Sequence, residues 1–184
     1  MPKAWRVSLS RPFPIYKQLP SDNSCGPQVI LKVADYFEIE RGRKLFAWEW
    51  SRILEMTMRN DLTRDEGTTR RDLVRALRKA GLQSRKFISS GTDEDRDVLC
   101  SVLQEDRPVI VACQIPFKGK PAMHYAVLVA MDDMNLHFAD PFPHQDTPKG
   151  GLRAIRWEEF KIGRWAKGLT VWGEDRWAIN LSSV

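Results

Sequence analysis

The chain has few residues able to staple a fold or anchor it elsewhere. Three cysteines stand in 184 residues, Cys25, Cys100 and Cys113, and no two form a Cys-x-x-Cys pair. An odd, scattered set argues against a disulfide framework and against a structural zinc site. Unpaired thiols fit a reducing compartment, so the expected location is the cytoplasm. The opening stretch MPKAWRVSLSRPFPIYKQ lacks the apolar core of a signal peptide. The longest strongly apolar stretch, AMHYAVLVAM, is about half the length of a membrane span. There is no Walker A or GxGxxG motif, which argues against a nucleotide. Asp65, Glu66, Asp93, Glu94 and Asp95 form no metal-loop spacing, so no metal and no cofactor is expected. Repeats and low-complexity segments are absent. No run of five or six like charges occurs, and the net charge of +5 is spread among mixed signs. A nucleic-acid partner has little support from that pattern.

What remains is an ordinary globular composition, 42% hydrophobic and 29% charged. A chain of this length buries about 70% of its unfolded surface and needs no staples. One domain is expected over 1–184, with 1–15 as an extended lead-in holding Pro2, Pro12 and Pro14. The spacing of Val29, Ile30, Val33, Ala34 and Phe37 predicts a helix from Cys25 to about Phe37, with Ser24 as N-cap and Pro27 tolerated in the first turn. Further helices are expected over Phe46–Met58, over Thr69–Ala80 with Gly81 as its stop, and over Asp93–Glu105. The third carries Arg70, Arg71, Arg75, Arg78 and Lys79, read as a solvated face. A short strand near Leu82–Ile88 lies between the last two helices. Strands then follow over Pro108–Ile115, Met123–Asp132, Asn135–Pro141, Leu169–Trp172 and Arg176–Leu181, with a short helix or turn at RWEEFKIGRW. Helices first and strands later argue for an α+β fold, with N-terminal helices packed against a C-terminal antiparallel sheet.

Cys25 falls where a loop rich in turn formers, LPSDNSC, gives way to a helix. A thiol on the first turn sits where the helix dipole favours thiolate. A cysteine nucleophile also needs a base, and a group to orient that base. His124 opens one predicted strand and Asp140 closes the next. In a hairpin turning near Asp132–Asp133 the two residue numbers sum to 264, centred on 132. The two side chains then meet at the open end, directly opposite or within a residue or two. His137 falls on the other face from Asp140 and reads as structural. His144, in the loop PFPHQD, is the rival base. Gln18, with the Cys25 backbone N–H, would be an oxyanion donor.

These residues resemble a known family. A glutamine followed by CGP at a helix start, then HYAVLV, then ADP sixteen residues after the histidine, is similar to papain-like peptidases of the bacteriocin-processing, double-glycine leader type. The stand-alone C39-like group is the nearest in kind, since no transporter spans or ATPase accompany the motifs. The resemblance runs over about Tyr16–Leu181. It implies a papain-like cysteine proteinase fold, Cys25 as nucleophile, His124 as base, Asp140 as orienter and Gln18 as oxyanion donor. Ser24 stands where leader peptidases carry an acidic residue, and Pro27 and Gln28 stand where they carry small ones. Gly26, Trp165 and Trp172 are the candidate substrate-binding residues, and a peptide or protein is the expected partner. The reaction expected is cleavage of a peptide or isopeptide bond through an acyl-enzyme. An acyltransferase or deamidase with the same triad, or a non-catalytic peptide-binding module, stays open on these residues alone. Cys100 and Cys113 read as core.

Overall fold

The computed structural model of the chain describes residues 7–15, 24–40, 68–79, 82–88, 92–117, 120–141, 151–161, 164–165, 170–171 and 177–183. The helix expected over Phe46–Met58 lies outside them.

Helix α1 runs Cys25–Glu40, three residues beyond the expected end. The Gln28 N–H donates to the Ser24 carbonyl at 2.8 Å, which puts Ser24 at the N-cap position. Val29, Ile30, Val33, Ala34 and Phe37 are all buried, as their helical spacing requires. Helix α2 runs Arg70–Lys79 and buries Leu73, Ala76 and Leu77. Thr69 precedes it, and its hydroxyl oxygen accepts from the Asp72 N–H at 3.1 Å, satisfying one orphan donor of the first turn. Helix α3 runs Asp93–Gln104, and the Thr92 N–H donates to Asp95 Oδ2 at 3.2 Å.

The strands are β1 Val7–Ser8, β2 Leu82–Ile88, β3 Val109–Phe117, β4 Lys120–Met131, β5 Asn135–Asp140, β6 Gly151–Arg156, β7 Arg164–Trp165, β8 Thr170–Val171 and β9 Trp177–Ser183. They form one sheet in the order β2-β9-β3-β4-β5-β6, with β1 added to β4 and the β7–β8 hairpin added to β3. Every pairing is antiparallel. Helix α4, Trp157–Lys161, follows β6 directly. The arrangement is the expected α+β fold. Consecutive residues Tyr125, Ala126, Val127 and Leu128 are all buried. Side chains alternate along a strand, so both faces of the sheet are covered at its centre.

Three details differ from expectation. The extended lead-in contains β1, which pairs Val7 with Met131 and Ser8 with Ala130. Strand β6 was not expected. It turns Arg153 and Ile155 inward and Leu152, Ala154 and Arg156 outward, so an inward arginine masks the alternation. The β4–β5 register also differs. Val127 pairs with Ala139 and Leu128 with Phe138, and then an irregularity between Leu128 and Ala130 shifts the pairing so that Ala130 meets His137. At the open end the ladder runs two residues out from a hairpin centred on position 132, which leaves His124 diagonal to Asp140 on the same face.

The turn between α3 and β3 fastens the lead-in. Asp106 has φ 59°, the left-handed region that aspartate tolerates better than most residues. Its Oδ1 accepts from the Ser10 N–H at 2.6 Å and from the Tyr36 hydroxyl at 2.7 Å. Its Oδ2 accepts from the Ser10 hydroxyl at 2.8 Å. The Arg11 guanidinium lies 4.9 Å from the Tyr36 ring centroid. Lead-in, α1 and sheet are thus joined at one carboxylate.

Candidate active site

Three elements bring three side chains together. Cys25 is the first residue of α1, His124 lies on β4, and Asp140 ends β5. Cys25 is buried, and His124 and Asp140 are each 1% exposed. His124 Nε2 lies 2.7 Å from Asp140 Oδ1. That is the length of a charge-assisted hydrogen bond. Burial by itself would lower the His124 pKa. The Asp140 charge and its hydrogen bond outweigh that, aided by a hydrogen bond to Cys25 and the Cys25 charge, so the pKa is raised above the ordinary value. His124 therefore meets both Asp140 and Cys25.

Two cations that sequence reasoning missed stand behind the carboxylate. Arg153 Nη1, from β6, lies 4.0 Å from Asp140 Oδ2, and the Arg153 side chain is 4% exposed. Lys32, from α1, is 0% exposed, and the Asp140 charge acts on it. Each had a signal. Lys32 lies one position before Val33 and three after Val29 on the buried stripe of α1, and Arg153 alternates with Ile155. Basic residues ordinarily read as surface, which hides both.

Gly26 owes its identity to a close neighbour. A Cβ there would run into the hydroxyl and Cβ of Thr68 and lie 2.9 Å from its Cγ2. Thr68 is itself held, since the Tyr125 hydroxyl donates to its carbonyl at 3.0 Å. The residue beside the thiol and the residue beside the imidazole thus share one support. His137, the strand histidine read as structural, lies 2.7 Å from Asp132 Oδ2, at the far end of the hairpin from Asp140. Cys100 is buried in α3. Gln18, Trp172 and His144 lie outside the described residues. Trp165 lies on β7, and Cys113 on β3. Among the described residues, no group of three His, Cys, Asp or Glu could hold a metal ion. No helix among them is long and apolar enough to cross a membrane.

Residues 11–168 match the model of the Peptidase_C39 like family. The chain belongs to that family. It is therefore a C39-like cysteine peptidase by descent, and its helices and antiparallel sheet take the papain-like form seen in C39 peptidase domains. The peptidase domain of Streptococcus ComA, a bifunctional ABC transporter involved in a quorum-sensing pathway, superposes with a TM-score of 0.62 at 23% identity, covering 94% of this chain and 100% of that one. A double glycine motif protease from an AMS/PCAT transporter, solved with its leader peptide, gives 0.59 at 17% identity, covering 96% and 99%. A C39-like peptidase candidate from Bacillus anthracis gives 0.61 at 13% identity, covering 98% of each chain. No curated protein matches the chain in sequence.

Proposed function

We propose that the chain cleaves a peptide bond through Cys25, His124 and Asp140. The observation that carries this reading is the buried His124, bonded to Asp140 at 2.7 Å and also hydrogen-bonded to Cys25. The Cys25 sulfur, its proton held by His124, attacks the carbonyl carbon. The C–N bond breaks, and the amine leaves with the proton from the imidazolium. Water, giving a proton back to His124, then opens the thioester and frees the acid. Asp140 keeps the imidazole oriented and offsets its charge when protonated.

Gln18 and the Cys25 N–H at the start of α1 would hold the oxyanion. Gly26, Trp165 and Trp172 would line the substrate groove. The whole sequence would act as one domain, and the reaction would take place in the cytoplasm, where Cys25 and Cys100, neither in a disulfide, stay reduced. A leader-type peptide is the substrate class this reading favours, because a structural neighbour was solved with one. The test is incubation with peptides that carry a double glycine followed by a cargo segment, with products read by mass spectrometry. Cleavage that disappears in Cys25→Ala and in His124→Ala supports the reading. Cleavage that persists in folded Cys25→Ala refutes it.

A further inference from the structure

We propose that Arg153 is a positioning residue of this site, a buried guanidinium that shares the Asp140 carboxylate with His124 and so eases release of the imidazolium proton to the leaving amine. The inference rests on the catalytic reading of Cys25, His124 and Asp140.

Asp140 ends β5, the strand that lies between β4 and β6. The β5–β6 ladder sets Asp140 opposite Gly151 and Phe138 opposite Arg153. Gly151 has no side chain to meet the carboxylate. Side chains two residues apart share a face, so Arg153 is the diagonal neighbour of Asp140. His124 is its diagonal neighbour on the other side, from β4. One oxygen goes to each: Oδ1 lies 2.7 Å from His124 Nε2, and Oδ2 lies 4.0 Å from Arg153 Nη1. The second gap is longer than a hydrogen bond, so the attraction there is one of charge. Leu136 and Phe138 on β5 and Ile155 on β6, which share the face of Arg153, are all buried. Packing alone would place an aliphatic residue at position 153.

A guanidinium keeps its charge at every pH the fold meets. The two contacts, joined across the width of one carboxylate, put Arg153 Nη1 no more than about 9 Å from His124 Nε2. Imidazolium and guanidinium therefore draw on the same carboxylate and repel each other. At an effective dielectric of about 20 to 40, one charge at that distance is worth about one pKa unit. The other titratable groups on the elements around the pair are Cys25, Lys32 and Asp35 on α1, Cys113 opposite His124 on β3, and Glu158 and Glu159 on α4. A substitution at position 153 leaves all of them in place, so the sign follows from the one charge removed. Lys32, with a pKa of about 8, gives up its proton before His124 does at about 10. Without Arg153, His124 holds its proton to higher pH.

The experiment follows the His124 ring by NMR, assigned with His124→Ala, in wild type, Arg153→Gln, Arg153→Met and Arg153→Lys. In both neutral variants the His124 titration midpoint should rise by about one pH unit. At pH 7 the Nε2–H signal should move downfield, because a less compensated carboxylate accepts more strongly. That second readout needs no alkali. Arg153→Lys should keep the wild-type values, since a single nitrogen faces Oδ2 and a point charge can replace it.

An unchanged or lowered midpoint with an unmoved Nε2–H signal in the neutral variants overturns the proposal. So does an equal shift in Arg153→Lys, because charge would not be responsible. Neutral variants that both fail to fold at pH 7 overturn it too, since Arg153 would then serve the fold. The catalytic reading is checked separately, by iodoacetamide alkylation of Cys25 in wild type and His124→Ala. Equal rates there remove that reading and this proposal with it, and no Arg153 variant is needed to see it.

Discussion

Replacing Asp140 with asparagine separates charge from geometry at the site. Asparagine has nearly the same shape, and its Oδ1 can still accept from His124 Nε2 across the 2.7 Å gap. The negative charge is lost. Two buried cations then lose their counter-ion, Arg153 at 4.0 Å and Lys32. Breaking a buried ion pair from one side costs about 3–5 kcal/mol. With a slope of about 2–3 kcal/mol per molar urea for a domain of this size, the unfolding midpoint should fall by about 1–2 M. The pH dependence carries a definite sign. The folded pKa of His124 lies above its unfolded value. Its contribution is fully present below pH about 6.5 and fades as the pH rises through the folded pKa. The stability gap between wild type and Asp140→Asn should therefore be widest near pH 5–6 and narrow in alkali. At the same time His124 loses the charge that keeps it protonated. Each unit removed from its pKa lowers the ratio of ion pair to neutral pair about tenfold, so alkylation of Cys25 should slow by about 10-fold or more at a pH where His124 is protonated in wild type and neutral in Asp140→Asn. The assays are urea melts across pH and alkylation followed by mass spectrometry. An Asp140→Asn protein with the wild-type midpoint and wild-type Cys25 reactivity would refute the electrostatic account.

Gly26→Ala should destabilise the fold by about 1–3 kcal/mol, because the added methyl meets Thr68. Thr68→Gly in the same chain should recover part of that loss, which a double-mutant cycle in urea measures. The Asp106 clamp should open in acid. Burial pushes that carboxyl up, but the Ser10 N–H, the Tyr36 and Ser10 hydroxyls and Arg11 bring it below the ordinary value. Its contribution is present above pH about 4 and is lost as the pH falls through the folded pKa. Asp106→Asn, which keeps a residue tolerant of positive φ, should speed exchange of the Leu9 amide, bonded to the Val129 carbonyl at 3.0 Å. In wild type the same acceleration should appear only at low pH.

The order of helices and strands was readable because most elements declare themselves locally. β3 and β4 are short apolar runs rich in branched residues, and α1 follows a 3.6-residue period. Strand β6 gave no such sign, since it turns Arg153 toward Asp140 where the pattern rule expects an apolar residue. The hairpin argument found the pair within its allowance of a residue or two. A number sum assumes a known turn centre and an unbroken ladder, whereas the hairpin turns beyond position 132 and the ladder shifts between Leu128 and Ala130. His124 still reaches Asp140, because diagonal neighbours on one face lie within reach of a long side chain. The charges behind the carboxylate were hidden for a related reason. Lys32 and Arg153 sit at positions that their elements bury, but the carboxylate that accompanies them is distant in sequence, so position alone did not outweigh the usual reading of a basic residue as surface.

The chain order of these parts has a consequence for synthesis. Cys25 opens α1, while His124 and Asp140 lie about a hundred residues later in the chain, on strands made after it. Until β4 and β5 pair, the thiol lacks the His124 and Asp140 partners it has in the fold, and in an open chain its proton stays mostly on sulfur at neutral pH. On the proposed reading, the antiparallel sheet that closes the fold also activates the thiol. A nascent or misfolded copy carries only an ordinary thiol, so on the proposed reading peptide cleavage waits until the chain's own backbone is protected by structure.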